Sequence, residues 1–281
     1  MRRSPQGIAP APPGGRHFTP TMADLPSAPT TIDQLGFQYQ PVVPLRPGLA
    51  GWHEALLRWH LPDGTIRGPQ HVLPYWLGPH RQPIFTRFTV ARAAQLLQRD
   101  PHARLSINLS PRQVVHPTAM AALADLLPTL RGRLIVEVTE QHYRDVMGLW
   151  STLESLATQC QLVLLDDLTV EDLRRSTRAH APVDGIKLDR TVLAALVDPD
   201  TRAATAEALQ GVADRYAIVV AEGVEDVRHM RLLDGLGITH AQGFAIGRPA
   251  AQPSATTWPD DAPLRPPTAG VRAPPARYRQ G

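Results

Sequence analysis

The chain has 281 residues, 43% hydrophobic and 20% charged, enough for one substantial globular domain, and its net charge of +3 does not indicate a protein that binds a nucleic-acid polymer. The lone cysteine, Cys160, excludes a disulfide framework or a cysteine metal site and favours a reducing cytoplasm. No run approaches 18 apolar residues and no apolar signal follows Met1, so neither a membrane span nor secretion is expected.

Prolines mark the edges of the predicted domain. Seven of the 29 prolines lie in residues 1–30 and seven more in residues 251–281. Segments of this composition bury too little apolar surface to fold. We therefore predict disordered tails over residues 1–30 and 253–281, with one folded domain over residues 31–252 between them.

Apolar runs and helical periodicity alternate through the folded part. The runs predict eight strands, at Phe37–Leu45, Trp52–Trp59, Leu105–Leu109, Leu134–Thr139, Leu162–Leu165, Gly185–Leu188, Ala217–Ala221 and Thr239–Phe244. Helical periodicity lies between them, at Phe85–Gln98, Met120–Leu130, Val146–Ala157, Arg202–Tyr216 and Val227–Leu236. This order favours an α/β fold with a parallel barrel, and about 250 residues is typical of a (β/α)8 barrel.

Polar side chains lie in or directly after six of these strands. They are Glu54, Asn108, Glu137, the pair Asp166–Asp167, Lys187 and Glu222. In a parallel barrel such residues meet at one mouth, where buried carboxylates need a cation or another partner. Simpler interpretations remain open. Asp167 could serve as a helix cap and nothing more, and Lys187 could be a lysine at the rim of the barrel with its ammonium in water.

Eight ordered motifs resemble the EAL domain family, the bacterial phosphodiesterases that hydrolyse cyclic di-GMP. The resemblance covers about residues 35–250 and rests on Tyr39–Val43, Glu54–Trp59, Asn108–Gln113, Glu137–Glu140, Asp166–Asp167, Pro182–Arg190, Ala221–Glu225 and Gln242–Pro249. It implies a TIM-like (β/α)8 barrel whose first strand is antiparallel to the others, with the active site at the carboxyl-terminal mouth.

The resemblance also implies a two-metal site. Hydrolysis of an anionic phosphodiester needs charge neutralisation and an activated water, and two hard divalent ions, Mg²⁺ or Mn²⁺, supply both through oxygen ligands. By similarity, the metal ligands would be Glu54, Asn108, Glu137, Asp166 and Asp167, with Asp166 bridging. Lys187 would orient the attacking water and Glu222 would assist its deprotonation. Substrate contacts would come from Gln40, Leu56, Arg58 and Gln242. Glu140 would anchor the loop after strand five, or merely start the next helix.

Two segments depart from the family pattern. Active relatives usually continue the aspartate pair with a glycine-bearing loop, whereas this chain reads Leu168–Arg174 without glycine. Thr169 and Glu171 disfavour positive φ, and the sequence predicts an early helix start with a Thr or Asp cap. Where relatives carry Ile-Pro-Leu-Ala-Glu-Glu, Leu73–Gly78 lacks both glutamates.

These departures leave two functions open. The first is a cyclic di-GMP phosphodiesterase that yields the linear dinucleotide. The second is a weak or inactive EAL-like receptor for cyclic di-GMP, or a protein-interaction module. Because this loop contributes to dimerisation in the family, the resemblance implies a homodimer, while the substitutions in the loop leave the oligomeric state open.

Overall fold

The structure, a computed structural model, describes residues 31–254 and 262–264, except residues 131, 140–146, 176–181 and 234. The predicted N-terminal tail lies outside the described residues, as does most of the predicted C-terminal tail. For those parts the prediction of disorder stays a prediction.

In the part of the chain that the structure describes, nine strands form one sheet that closes on itself. They are β1 (Leu35–Pro44), β2 (Trp52–His60), β3 (Ile66–Arg67), β4 (Leu105–Leu109), β5 (Leu134–Thr139), β6 (Leu162–Leu168), β7 (Gly185–Leu188), β8 (Ile218–Ala221) and β9 (His240–Gln242). The order β1-β9-β8-β7-β6-β5-β4-β2 is closed by pairing of β1 with β2, and β3 extends β2 as a short antiparallel edge. Strand β1 is antiparallel to both neighbours, while the others in the barrel run parallel. The predicted TIM-like barrel with an antiparallel first strand is confirmed.

Helices cover the outside of the barrel. Those described are α1 (Leu73–Trp76), α2 (Gln82–Arg99), α3 (Pro111–Val114), α4 (Pro117–Leu130), α5 (Leu149–Gln159), α6 (Val170–Arg175), α7 (Arg190–Val197), α8 (Pro199–Ala213) and α9 (Met230–Leu233). Their apolar faces and the outward strand residues, such as Ile107, Val136 and Val219, form the largest hydrophobic core. Within the described part of the chain, no helix is long and apolar enough to cross a membrane.

Element boundaries differ from the predictions in a few places. Strand β6 continues to Leu168 because a register irregularity between Leu165 and Leu168 carries the chain past the aspartate pair. The predicted helix Val227–Leu236 is divided into a 3-10 turn at Val227–His229 and the short α9. Helix α6 begins at Val170, as the sequence predicted for the glycine-free segment.

An apolar barrel floor closes the end opposite the mouth. It consists of Val42, Ala50, Trp52, Ile135, Leu162, Leu164, Ile218 and Val220, together with Ala262 and Leu264 from beyond the barrel. The backbone N–H of Ala50 donates to the carbonyl of Pro263 at 2.9 Å. Residues 262–264 of the predicted C-terminal tail are thus packed beneath the barrel.

His240 is buried just above the barrel floor. Its ring lies 4.7 Å from that of Trp52, Nε2 is 3.0 Å from the carbonyl of Ala50, and Nδ1 is 2.9 Å from the hydroxyl of Thr239. Burial lowers the pKa of His240 to about 4, although the contact with Ala50 opposes this.

Acid is expected to destabilise the fold through His240. His240 binds a proton near pH 6.5 in the unfolded chain and near pH 4 in the folded chain. Its contribution to the free energy of unfolding is therefore fully present above about pH 6.5 and is lost as the pH falls towards 4. The total is about 3 kcal/mol. Urea unfolding of wild type and His240→Gln at several pH values measures it, with exposed His80→Gln as control. Equal pH dependence of wild type and His240→Gln would contradict this role.

Candidate functional site

Alternation along the strands places one polar side chain per barrel strand at the same level inside the mouth. This polar ring consists of Gln40, Glu54, Asn108, Glu137, Asp166, Lys187, Glu222 and Gln242, Glu222 lying directly after β8. Strand register aligns its members, since Gln40 pairs with Glu54 and Asn108 with Glu137. The residues that the sequence predicted to converge do so.

Lys187 lies at the centre of the polar ring. Its Nζ is 2.6 Å from Glu222 Oε1, 2.8 Å from Glu137 Oε2, 3.1 Å from Asp166 Oδ1 and 3.2 Å from Glu54 Oε2. The side chain is only 1% exposed, so the interpretation as a rim lysine is wrong. Burial disfavours the charged form, but the four carboxylates outweigh it and raise the pKa of Lys187 well above its usual value.

Side-chain amides fix the orientation of Glu54. Asn108 Nδ2 donates to Glu54 Oε1 at 2.6 Å, and Gln242 Nε2 donates to Glu54 Oε2 at 2.7 Å. Gln242 is also 3.2 Å from Gln40 Oε1, while Gln40 Nε2 donates to the carbonyl of Gly247. Burial opposes ionisation of Glu54, yet Lys187 and these donors lower its pKa overall.

The aspartate pair reaches the mouth through unusual backbone geometry. Asp167 has φ 61°, the one positive φ outside glycine among the described residues. This left-handed conformation, which Asp tolerates better than most residues, interrupts the strand alternation that would turn adjacent side chains to opposite faces. As a result, carboxylate oxygens of Asp166, Asp167 and Glu222 lie within 4.8 Å of one another.

The glycine-free segment follows directly. Thr169 caps α6: its backbone N–H donates to Asp172 Oδ2 at 3.1 Å, and its hydroxyl accepts from the N–H of Asp172 at 3.3 Å. This reciprocal cap explains how the chain leaves the mouth without glycine. It also assigns capping to Thr169, which frees the Asp167 side chain for the site.

Burial raises the pKa values of three other carboxyls in the polar ring. Desolvation raises the pKa of Asp166 to about 6 and that of Glu222 to about 8, despite Lys187, which acts in the opposite direction. Burial and the neighbouring Glu54 raise the pKa of Glu137 well above its usual value. The single ammonium of Lys187 therefore does not compensate the carboxylates around it.

The donor set fits divalent cations. Two overlapping groups of acidic residues have ligand atoms within 4.8 Å: Glu54, Glu137 and Asp166, then Asp166, Asp167 and Glu222. Glu137 Oε1 is buried with no hydrogen-bond partner among the described residues. Asp166 belongs to both groups, as a bridging ligand must. These all-oxygen groups could hold ions such as Mg²⁺ or Mn²⁺.

The mouth opens into a cavity of about 780 Å³. Leu56, Gln40 and Gln242 line it, together with most of the polar ring. Arg58 is not among the lining residues; its Nε donates to Gln38 Oε1 at 2.7 Å and its NH1 donates to the carbonyl of Leu57. Glu140 lies outside the described residues, so its predicted role stays a prediction.

Two supporting features were missed in the sequence. Ser110, the residue after Leu109 at the end of β4, forms a capping box with Gln113 that starts α3. The Ser-x-x-Gln pattern is visible in the sequence. Lys187 is also the only lysine in the chain, and the other residues in the total of 29 lysines and arginines are all arginine. Since a guanidinium is planar and larger than an ammonium, arginine would not fit among four carboxylates in this way.

The backbone segments that carry Glu222 and Gln242 approach each other closely at Gly243. A Cβ at Gly243 would lie 2.2 Å from the carbonyl oxygen and 2.3 Å from the nitrogen of Val224, both backbone atoms. Gly243→Ala is therefore expected to lower the free energy of unfolding by about 1–3 kcal/mol, as overpacking does. Urea unfolding measures this. Gly211→Ala, in open space on α8, is the control and should be neutral or stabilising; similar results for both variants would contradict the close approach.

A TIM-like barrel with an antiparallel first strand and an acidic mouth defines the class of this protein. The EAL domain family matches residues 23–249, and the chain belongs to this family. The cyclic di-GMP phosphodiesterase PdeR of Escherichia coli strain K12 is 28% identical over 236 residues, which cover 80% of this chain and 35% of PdeR. The chain spans about a third of the length of the curated relatives it matches.

Solved structures agree with this assignment. The PaMucR phosphodiesterase in complex with c-di-GMP has a TM-score of 0.61 and 26% identity, covering 78% of this chain and 92% of that one. The calcium and cyclic di-GMP complex of BlrP1 from Klebsiella pneumoniae has a TM-score of 0.60 and 25% identity, covering 77% of this chain and 56% of that one.

Proposed function

We propose that the chain is a cyclic di-GMP phosphodiesterase that opens one ester to give the linear dinucleotide and depends on two Mg²⁺ or Mn²⁺ ions. The observation that carries the proposal is the pair of overlapping acidic groups that share Asp166. The names of PdeR, PaMucR and BlrP1 support the substrate, and the BlrP1 complex supports a divalent cation.

Divalent ions, when bound, would neutralise the phosphate and favour ionisation of a nearby water. Glu54, Asn108, Glu137, Asp166 and Asp167 would hold them. The site has five carboxylates, on Glu54, Glu137, Asp166, Asp167 and Glu222. When all five are ionised, the ammonium of Lys187 leaves four negative charges, which two divalent ions would balance.

Lys187 and Glu222 are suited to proton transfer. Their charged atoms lie 2.6 Å apart, and Glu222 remains 23% exposed at the mouth, where a water can reach it. Glu222 would accept a proton from the attacking water, as a general base does. Lys187 would donate a hydrogen bond that orients the water, and Gln40, Leu56 and Gln242 would contact the substrate from the cavity wall.

Purified protein with Mn²⁺ is expected to convert cyclic di-GMP to the linear dinucleotide, and chelation with EDTA is expected to stop the reaction. Chromatographic separation of substrate and product measures the conversion, while calorimetry of the same preparation measures binding. Tight binding of cyclic di-GMP without formation of product would show that the chain is a receptor and not an enzyme. The joint presence of both aspartates, Lys187 and Glu222 around one point supports the enzyme, because a receptor has no need of them all.

Two other expectations remain proposals. A cytoplasmic location is consistent with the single buried Cys160. A homodimer is testable by light scattering, with and without cyclic di-GMP.

A further inference from the structure

Gln38 and Arg58 lie at the rim of the mouth, just beyond the polar ring. Gln38 lies two residues before Gln40 on β1, and Arg58 lies four residues after Glu54 on β2, so strand alternation places both side chains on the inner face of the barrel. Gln38 pairs in register with Leu56, which lines the cavity. Both side chains are half-buried. The two residues therefore flank the cavity wall at Leu56.

Two contacts fix the guanidinium of Arg58. Its Nε donates to Gln38 Oε1 at 2.7 Å, and its Nη1 donates to the carbonyl of Leu57 at 2.9 Å. A guanidinium has five N–H donors, so both hydrogens of Nη2 and the second hydrogen of Nη1 remain. Because Nε is taken, the remaining pair of parallel donors is the one on the two terminal nitrogens. Such a pair matches two oxygens of a phosphate.

The positive charge of Arg58 has no direct counter-ion. Among the described residues, no carboxylate forms an ion pair with it. The carboxylate on the same face, Glu54, is already bound by other donors, which are Lys187, Asn108 and Gln242. Burial lowers the pKa of Arg58, and the negative charge of Glu54 opposes this from a distance. A half-buried cation with its terminal donors available favours an anion at the mouth.

We propose that Gln38 is a positioning residue, which holds the guanidinium of Arg58 so that its two terminal nitrogens contact a phosphate of the bound cyclic dinucleotide. This inference rests on the proposed phosphodiesterase function, which brings a phosphate diester to the mouth. Without Gln38, each binding event would have to order the arginine anew, because a free arginine side chain occupies many rotamers. The amide suits this task, since it accepts from Nε without cancelling the charge that attracts the phosphate.

Steady-state kinetics with cyclic di-GMP test the proposal. Gln38→Met removes the acceptor at nearly constant size and is expected to raise KM by about tenfold, the usual order for a hydrogen bond to a charged group. The value of kcat should change little, because the contact is made to substrate and transition state alike. In an Arg58→Met background, Gln38→Met should have no further effect, since Gln38 acts through Arg58.

Gln38→Glu separates orientation from charge. It keeps an acceptor for Nε but adds a negative charge beside the phosphate, so KM should again rise by about tenfold. This rise should shrink at high salt, which screens the added charge, whereas the rise in Gln38→Met should not.

Gln95→Met is the matched control. Gln95 Oε1 also accepts from an arginine, Arg92, at 3.4 Å, but at an exposed position of α2 outside the cavity lining. This variant should keep the wild-type KM and kcat.

Three results would show that Gln38 does not position the arginine: an unchanged KM in Gln38→Met, a lower KM, or an equal effect of this change with and without Arg58. The proposed function would stand in each case. If wild type binds cyclic di-GMP without cleaving it, dissociation constants from calorimetry decide the inference by the same ratios. If wild type neither binds nor cleaves cyclic di-GMP, the proposed function fails and the inference falls with it.

Discussion

Asp166→Asn is expected to lower the turnover of cyclic di-GMP by about a thousandfold. Asp166 is the residue common to both acidic groups, so its loss would weaken both cation sites at once. A divalent ion contributes several kcal/mol to charge stabilisation, and each 1.4 kcal/mol corresponds to about tenfold in rate. Product formation with saturating Mn²⁺ measures the effect.

Stability distinguishes loss of a ligand from misfolding in this variant. Because Asn is nearly isosteric and removes one of several crowded negative charges, Asp166→Asn should be at least as stable as wild type in EDTA at pH 8. It should gain less stability than wild type from added Mn²⁺, since binding to the native state stabilises it. Asp125→Asn, at an exposed position of α4 outside the cavity lining, is the matched control. Wild-type turnover in Asp166→Asn would remove Asp166 from the metal site.

Lys187→Met is expected to lower the free energy of unfolding in EDTA at neutral pH by about 3–5 kcal/mol, the usual cost of removing one partner from a buried ion pair. The ammonium lies within 3.2 Å of four carboxylates, which would then repel one another without compensation. Since protonation relieves this repulsion, the difference from wild type should shrink as the pH falls. Urea unfolding at several pH values measures it.

Divalent cations should restore much of the stability that Lys187→Met loses, because they supply the missing positive charge. Turnover should remain absent, since no group is left to orient the water. Lys187→Arg is the informative companion: it keeps the charge, but a planar guanidinium cannot approach all four carboxylates, so neither activity nor full stability should return. Equal unfolding free energies of wild type and Lys187→Met in EDTA would show that the ammonium does not hold the polar ring together.

The sequence predicts the barrel and most of the polar ring because both depend on local periodicity. Asn108 and Glu137 lie near the carboxyl ends of short strands, so their position alone places them at the mouth. Glu54 lies near the start of the longer β2, and the family motif was needed to assign it. The contacts around Lys187 could not be assigned, because they join residues that lie 50 and 133 positions apart. The apolar part of the cavity wall was equally hidden, since it depends on how α1 and α2 pack over β2.

Backbone geometry explains a second limit of the sequence. Alternation predicts opposite directions for Asp166 and Asp167, and only the positive φ of Asp167 turns both carboxylates towards one point. The absence of glycine from Leu168–Arg174 therefore does not prevent the aspartate pair from facing one point. The residue in the left-handed conformation is Asp167 itself. The family pattern identified the pair, but not how the chain presents it.

Ala262 and Leu264 lie beyond residue 249, where the family match ends, yet they cover Trp52 and its neighbours from below. A protein shortened to the matched stretch for expression would lose this cover, although every residue of the mouth would be intact. Low yield or aggregation of such a fragment would then reflect a missing piece of the fold, and not a defect in the chemistry.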